Sequence, residues 1–226
     1  MKIIGTVHTN FPEKFGIPRQ SSLVQKLPGY ITFEPVYRQP EAFKGLEDYE
    51  YIWVLFLFHR SIREGFNATV KPPRLGGNTP MGVFATRSPF RPNNIGLSSV
   101  KLTQIEYTKE LGPILHILGA DMLDNTPIID IKPYLPYTDA HPTAKAGFAD
   151  KVFDHKLNVT ISDNIKASID NETISTLECI LSEDPRPGYK QNCEDEFGMT
   201  YAHYNVRFSV KNNTLTVNSI TDLNLQ

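Results

Sequence analysis

The densest run of reactive side chains in the 226-residue chain lies in Lys71-Pro-Pro-Arg-Leu-Gly-Gly77 and Gly82-Val-Phe-Ala-Thr-Arg-Ser-Pro-Phe-Arg-Pro-Asn-Asn-Ile-Gly-Leu-Ser98. Arg87 and Arg91 stand four residues apart in a proline-punctuated loop. Both can present forked hydrogen bonds to a phosphate or a carboxylate. The prolines fix φ and stiffen the loop, and the glycines let backbone approach a ligand closely. A stiff loop loses less entropy when it binds. A surface turn with solvated arginines is the alternative; the coincidence of these cues favours a ligand.

Four other segments carry chemistry. Lys14-Phe-Gly-Ile-Pro-Arg-Gln20 can set a guanidinium and an amide beside a ligand, or be a polar surface loop. Phe58-His59-Arg60 ends an apolar strand, where His59 can contact a ligand or simply satisfy the backbone. Asp121, Asp124 and Asp130 lie within ten residues of one another. They can accept a proton or pair with the basic loops. Asp184-Pro-Arg-Pro-Gly-Tyr189 presents Arg186 and Tyr189, a pair suited to stacking on bases or to capping a nearby helix.

Charge distribution supports an anionic partner. Between Glu64 and Glu106 there is no acidic residue, and Lys71, Arg74, Arg87, Arg91 and Lys101 give that stretch a local net charge of +5. The whole chain is −2, so the remainder carries −7. A basic segment in an acidic protein reads as an anion or nucleic-acid footprint, or as a solvated face paired elsewhere.

Several chemistries have no motif here. The chain lacks GxGxxG, Walker A, HExxH and GxSxG patterns. Its six histidines, His8, His59, His116, His141, His155 and His203, show no metal-ligand spacing, so no metal is expected. Cys179 and Cys193 form no CxxC pair, which fits reduced thiols in a cytoplasmic protein. The longest apolar run, Tyr51 to Phe58, is too short to span a bilayer. The apolar run at the start is too short for a signal peptide. With 40% hydrophobic and 21% charged residues the chain is an ordinary globular one.

These side chains need positioning elements. Strands are expected at Ile3 to Val7, Tyr30 to Phe33, Tyr51 to Phe58, Gly82 to Thr86, Ile95 to Tyr107, Ile114 to Gly119 and Ile128 to Ile131. Tyr51 to Phe58 is apolar at every position, which predicts burial on both faces. Many short strands between turn clusters predict a barrel or sandwich, and no strand–helix–strand rhythm points to a Rossmann core. After Tyr137 the composition changes. Leu157, Val159 and Ile161 alternate. Thr173 to Leu181 has helical spacing, capped by Asp170 or Asn171. A hairpin turns at Asn212-Asn213. The expected fold is mainly β (α+β overall): a β-barrel over residues 1–140 and a small C-terminal α+β domain over 141–226.

The motifs Pro18-Arg-Gln20, Phe56-Leu-Phe-His-Arg60, Lys71–Gly77, Met81–Gly96, Leu123–Tyr137 and Asp184–Tyr189 occur in one order. They resemble the TsaA/YaeB-like family, the TrmO-type tRNA methyltransferases. The resemblance runs from about residue 3 to about residue 208. It implies an S-adenosylmethionine-binding β-barrel with a small C-terminal domain, working as a homodimer without metal or membrane. The activity implied is N6-methylation of threonylcarbamoyladenosine beside the anticodon of a threonine tRNA. Carried over by motif, the cofactor contacts are Pro18, Arg19, Gln20, His59, Arg60, Arg87, Leu97, Asn125, Thr126, Pro127 and Ile128.

The acceptor nitrogen is urea-like, so a general base should help, and Asp124 or Asp130 is the candidate. Lys71, Arg74, Arg91, Arg186 and Tyr189 are the candidate RNA contacts. Two other readings remain: a non-catalytic RNA-binding module, and a methyltransferase for another acceptor.

Overall fold

The computed structural model describes residues 1–75, 77–151, 156–186 and 195–225, with only the backbone of 74 and 151. Twelve strands are present among the described residues: β1 (Gly5–Thr9), β2 (Pro28–Phe33), β3 (Tyr51–Leu57), β4 (Thr69–Val70), β5 (Met81–Gly82), β6 (Ile95–Thr108), β7 (Gly112–Leu118), β8 (Thr126–Pro133), β9 (Asn158–Thr160), β10 (Phe197–Tyr201), β11 (Tyr204–Lys211) and β12 (Thr214–Asp222). The α-helices among these residues are α1 (Pro136–Asp139), α2 (Asp163–Lys166) and α3 (Asn171–Ser182).

Six strands close a barrel in the order β1-β2-β7-β6-β3-β8, and every neighbouring pair is antiparallel. Closure leaves no free edge. The fold is mainly β and is not a Rossmann fold. Alternation along β3 puts Ile52, Val54 and Phe56 into the barrel core, with Val7, Ile31, Val100, Leu115 and Ile128. The expectation that β3 is buried on both faces is corrected. Trp53, Leu55 and Leu57 remain half-exposed, because the barrel wall has one interior.

A second sheet runs β10-β11-β12-β9, with β9 parallel to β12. Helix α3 lays Ile174, Leu177, Ile180 and Leu181 against it. The Asp170 side chain accepts from the Thr173 N–H at 2.8 Å, which caps the helix. The β11–β12 turn uses Asn212 and Asn213 at φ 49° and 63°, the left-handed region that asparagine tolerates. This second core also takes Phe11, Val24 and Leu27 from the β1–β2 connection. That connection therefore belongs to the barrel by its ends and to the second sheet by its side chains.

Gly82 to Thr86 is not a strand. Only Met81–Gly82 pairs, with Thr69–Val70, and Val83–Ala85 forms one 3₁₀ turn. Among the described residues no helix is long and apolar enough to cross a membrane.

Candidate active site

One end of the barrel opens into a cavity of about 580 Å³. Four segments distant in sequence supply its walls: 14–20 from the β1–β2 connection, 53–61 around the end of β3, 86–98 entering β6, and 121–126 entering β8. The walls combine Trp53, Phe56, Phe58 and Leu97 with the cations Lys14, Arg19, Arg60, Arg87 and Arg91. Asp121 is the one acidic side chain among the described lining residues.

Local chemistry explains how the 86–98 segment is shaped. The Arg91 guanidinium donates to the Thr86 and Val83 carbonyls at 2.7 and 3.3 Å. Asn94, at φ 48°, donates from its amide to the Pro89 carbonyl at 2.7 Å and to that of Ser61 at 3.4 Å. Its own carbonyl accepts from the Phe58 N–H at 2.8 Å. The loop is thus folded on itself and tied to the end of β3. Arg87 is left reaching across the cavity to donate to the Gln20 side-chain carbonyl. On the next strand Gly96 faces Phe56. A Cβ there would sit 2.3 Å from the Phe56 ring, so glycine lets that ring lie flat as cavity floor. Trp53 is held by its indole N–H, which donates to Asp139 of α1 at 2.7 Å.

Electrostatics single out Asp121. Burial pushes its carboxyl above the usual range. Opposing pulls come from the Ser98 hydroxyl, from its own and the Ser21 backbone amides, and from the Arg87 charge. Ser98, 2% exposed, donates to Asp121 Oδ1 at 2.5 Å. His59 is shifted the other way. Burial lowers its pKa, a hydrogen bond with Leu57 opposes this, and the Arg60 and Lys14 charges lower it further. The imidazole is therefore neutral at pH 7. The site sets one carboxylate with a raised pKa beside a cationic rim, around apolar walls that suit a flat aromatic group.

Residues 6–140 match the family model described as the tRNA-methyltransferase O N-terminal domain, and residues 154–223 match that of the TrmO C-terminal domain. The chain belongs to the tRNA-methyltransferase O family. It is 39% identical over 218 residues to a tRNA (adenine(37)-N6)-methyltransferase of Escherichia coli K12, covering 92% of this chain and 91% of that protein. A protein of the same name from Eikenella corrodens is 43% identical over 173 residues, 76% of this chain and 97% of its own. The crystal structure of TrmO from Pseudomonas aeruginosa superposes with a TM-score of 0.76 at 32% identity, covering 97% of both chains.

Of the residues carried over for the TrmO cofactor site, Pro18, Arg19, Gln20, His59, Arg60, Arg87, Leu97 and Thr126 line this one cavity. Asn125, Pro127 and Ile128 are not among its lining residues. Asn125 is an exposed turn residue at φ 59°, and Pro127 pairs with Thr6 of β1. The Ile128 side chain is fully buried in the barrel core.

The two aspartates expected as bases lie outside the lining of this cavity. Asp124 accepts from the Thr9 N–H at 3.0 Å and from the Asn125 amide at 2.7 Å, and so builds the turn before β8. Asp130 lies on the barrel wall beside Lys132 at 3.5 Å and accepts from the Ile131 N–H. Neither lines the cavity. Among the three carboxylates read as able to pair with the basic loops, Asp121 feels the attraction of the Arg87 charge. Its signal in the sequence was position: Asp121 stands three residues past the end of β7, and the loops at strand ends are where binding side chains gather.

The RNA candidates divide. Lys71 is exposed. Arg91 lines the cavity and donates from Nη1 to two loop carbonyls. Arg186 is 4% exposed and grips Asp184 through two parallel bonds of 2.9 and 3.0 Å, so it is a structural residue and not a stacking platform. Arg74 has only its backbone described, on the 3₁₀ turn Pro73–Leu75, and Tyr189 lies outside the described residues. Among the described residues no three His, Cys, Asp or Glu side chains converge as a metal site.

Proposed function

We propose that the cavity binds S-adenosylmethionine and that the protein transfers the methyl group to N6 of adenine 37 of a tRNA. The observation that carries this reading is the convergence of four separate segments, with their aromatic walls, cationic rim and single carboxylate, on one barrel mouth. The printed names of the relatives support the same chemistry. About 580 Å³ is within the range that holds a molecule of cofactor size. The donor set fits a ligand with a flat base, a carboxylate and a positive centre. Trp53, Phe58 and Leu97 would take the base. Arg87 and Arg60 would take the carboxylate. Asp121 suits the positive centre.

When bound, S-adenosylmethionine supplies an electrophilic methyl group on a positively charged sulfur. The chain's own residues do the remainder. The aromatic walls exclude water, and the pinned loop holds the reactants in line. As the N–C bond would form and the methyl–sulfur bond break, leaving a neutral thioether, N6 would lose its proton and the Asp121 carboxylate would accept it. A carboxyl raised by burial is the better base for that transfer. The Ser98 hydroxyl keeps Asp121 oriented.

The finer reading is that the acceptor is threonylcarbamoyladenosine in a threonine tRNA. Its extra carboxylate needs a cation, and Arg91, Lys71 and Arg74 of the basic stretch are the candidates. We place the catalytic barrel in residues 1–140, a smaller unit in 141–226, and the working enzyme in the cytoplasm as a homodimer.

The test is methyl transfer from labelled S-adenosylmethionine into tRNA from cells with and without the threonylcarbamoyl modification. Label only in modified tRNA supports the full reading. With Asp121→Asn the rate should fall about a hundredfold or more, the usual worth of a positioned base. Label in neither tRNA from folded protein overturns the assignment, and affinity for S-adenosylmethionine then separates another acceptor from a simple RNA binder.

A further inference from the structure

Beside the cavity mouth two phenylalanine rings stand out in solvent. Phe66 is 60% exposed and Phe84 is 71% exposed, far more than apolar packing permits. Their centroids are 6.3 Å apart and their planes differ by 27°. Together they make one exposed, stacked aromatic pair. It is not a loose tip. Phe84 sits on the Val83–Ala85 turn, whose Val83 is 1% exposed and donates its N–H to the Ala68 carbonyl at 2.9 Å. That backbone bond ties the Phe84 turn to the segment that carries Phe66. The Arg91 bonds to the Val83 and Thr86 carbonyls clamp the same turn from the cavity side, with the guanidinium 5.7 Å from the Phe84 ring. The platform is thus preordered, and it directly precedes the cavity residues Thr86 and Arg87.

We propose that Phe84 and Phe66 stack an unpaired base of the RNA substrate next to the nucleotide that enters the cavity. The proposal rests on the RNA-methyltransferase reading above. Aromatic faces bind bases of any identity, and in a single-stranded loop the bases are free to splay out. Charge selects this occupant over a second copy of the chain. From residue 65 to residue 105 every charged residue is basic, and Arg60 and Arg63 are exposed close by. A two-fold contact would set these cations against their own copies. A phosphate backbone would satisfy them.

The experiment uses the full chain as wild type, Phe84→Ala, Phe66→Ala, the double variant and Phe84→Trp. Binding of a fluorescently labelled anticodon stem–loop RNA is measured with saturating S-adenosylmethionine. Sedimentation and S-adenosylmethionine affinity are measured on the same samples. Each alanine should weaken RNA binding on the order of tenfold, as for a lost base stack. Phe84→Trp should keep it, with sedimentation and cofactor affinity unchanged. Unchanged RNA affinity in the double variant overturns the platform, even if the wild type methylates tRNA. A shift in oligomeric state in the alanine variants also overturns it, in favour of a protein contact. Wild type that stacks RNA through Phe84 yet transfers no label to any tRNA leaves the platform standing and removes the proposed activity.

Discussion

Two loops of this protein set arginine beside proline and have opposite fates. Thr86-Arg-Ser-Pro-Phe-Arg-Pro-Asn-Asn94 and Asp184-Pro-Arg186 both set arginine among prolines. In the first, no carboxylate lies in the loop. Arg91 satisfies itself on backbone carbonyls, and Arg87 extends across the cavity to Gln20. In the second, Asp184 stands two residues before Arg186 and takes its fork whole, with both side chains under 5% exposed. The Arg19 guanidinium then donates to the Asp184 and Arg186 carbonyls at 3.2 and 3.0 Å, which joins the cavity wall to the second unit. An arginine beside prolines is a ligand contact only when no nearer acceptor claims it. Local carboxylates decide this, not the proline count.

The comparison can be broken most severely at Arg186. Arg186→Ala leaves the buried Asp184 charge without its fork and should cost about 3–5 kcal/mol of stability by chemical denaturation. If stability holds and only RNA binding weakens, the two loops are alike after all.

Asp121→Asn tests the cavity side. Beyond the loss in turnover it should raise the melting temperature at pH 7. The sign follows from the raised pKa: a carboxyl whose folded pKa lies above its unfolded value binds its proton more tightly when folded. Its burial is harmless below the unfolded pKa, and the penalty grows as pH rises through the unfolded value to the folded one. The stabilisation by asparagine should therefore vanish when melting is repeated below about pH 4, the ordinary aspartate value. A gain that persists there would deny Asp121 its raised pKa.

Arg87→Ala should weaken S-adenosylmethionine binding about tenfold or more by calorimetry, the worth of one hydrogen bond to a charged group. It should leave stability nearly unchanged, in contrast to Arg186→Ala. The smallest effect is expected at Asp124→Asn, which keeps an acceptor for the Thr9 N–H. Turnover within about threefold of wild type is expected, since the loss of one partly exposed hydrogen bond is small. A hundredfold loss would restore Asp124 as the base.

Much of this architecture was legible along the chain. The periodic apolar residues of α3, its Asp170 cap and the Asn212-Asn213 turn are local signals, and local physics honoured them. Strand β10 was missed, although Phe197, Met199 and Tyr201 alternate, because the charged run Glu194-Asp-Glu196 directly before it masks the start of the pattern in the sequence. The turn at Val83–Ala85 was misread as a strand because its shape comes from Arg91, five to eight residues later. Phe11, Val24 and Leu27 lie between barrel strands yet pack in the other core, which no pattern in their own neighbourhood announces.

By itself the sequence determined the mainly β character, the basic stretch and the ordered set of motifs that place the chain in its family. These depend on residue type and short spacing. Tertiary structure alone decided which aspartate lines the cavity and which arginine reaches across it. Asp121, Asp124 and Asp130 are equivalent in composition. Barrel closure turns only Asp121 into the cavity, against Ser98 from a neighbouring strand, and burial there changes its affinity for a proton. Burial and long-range partners are set by the packing of segments far apart in the chain, so no local reading contains them.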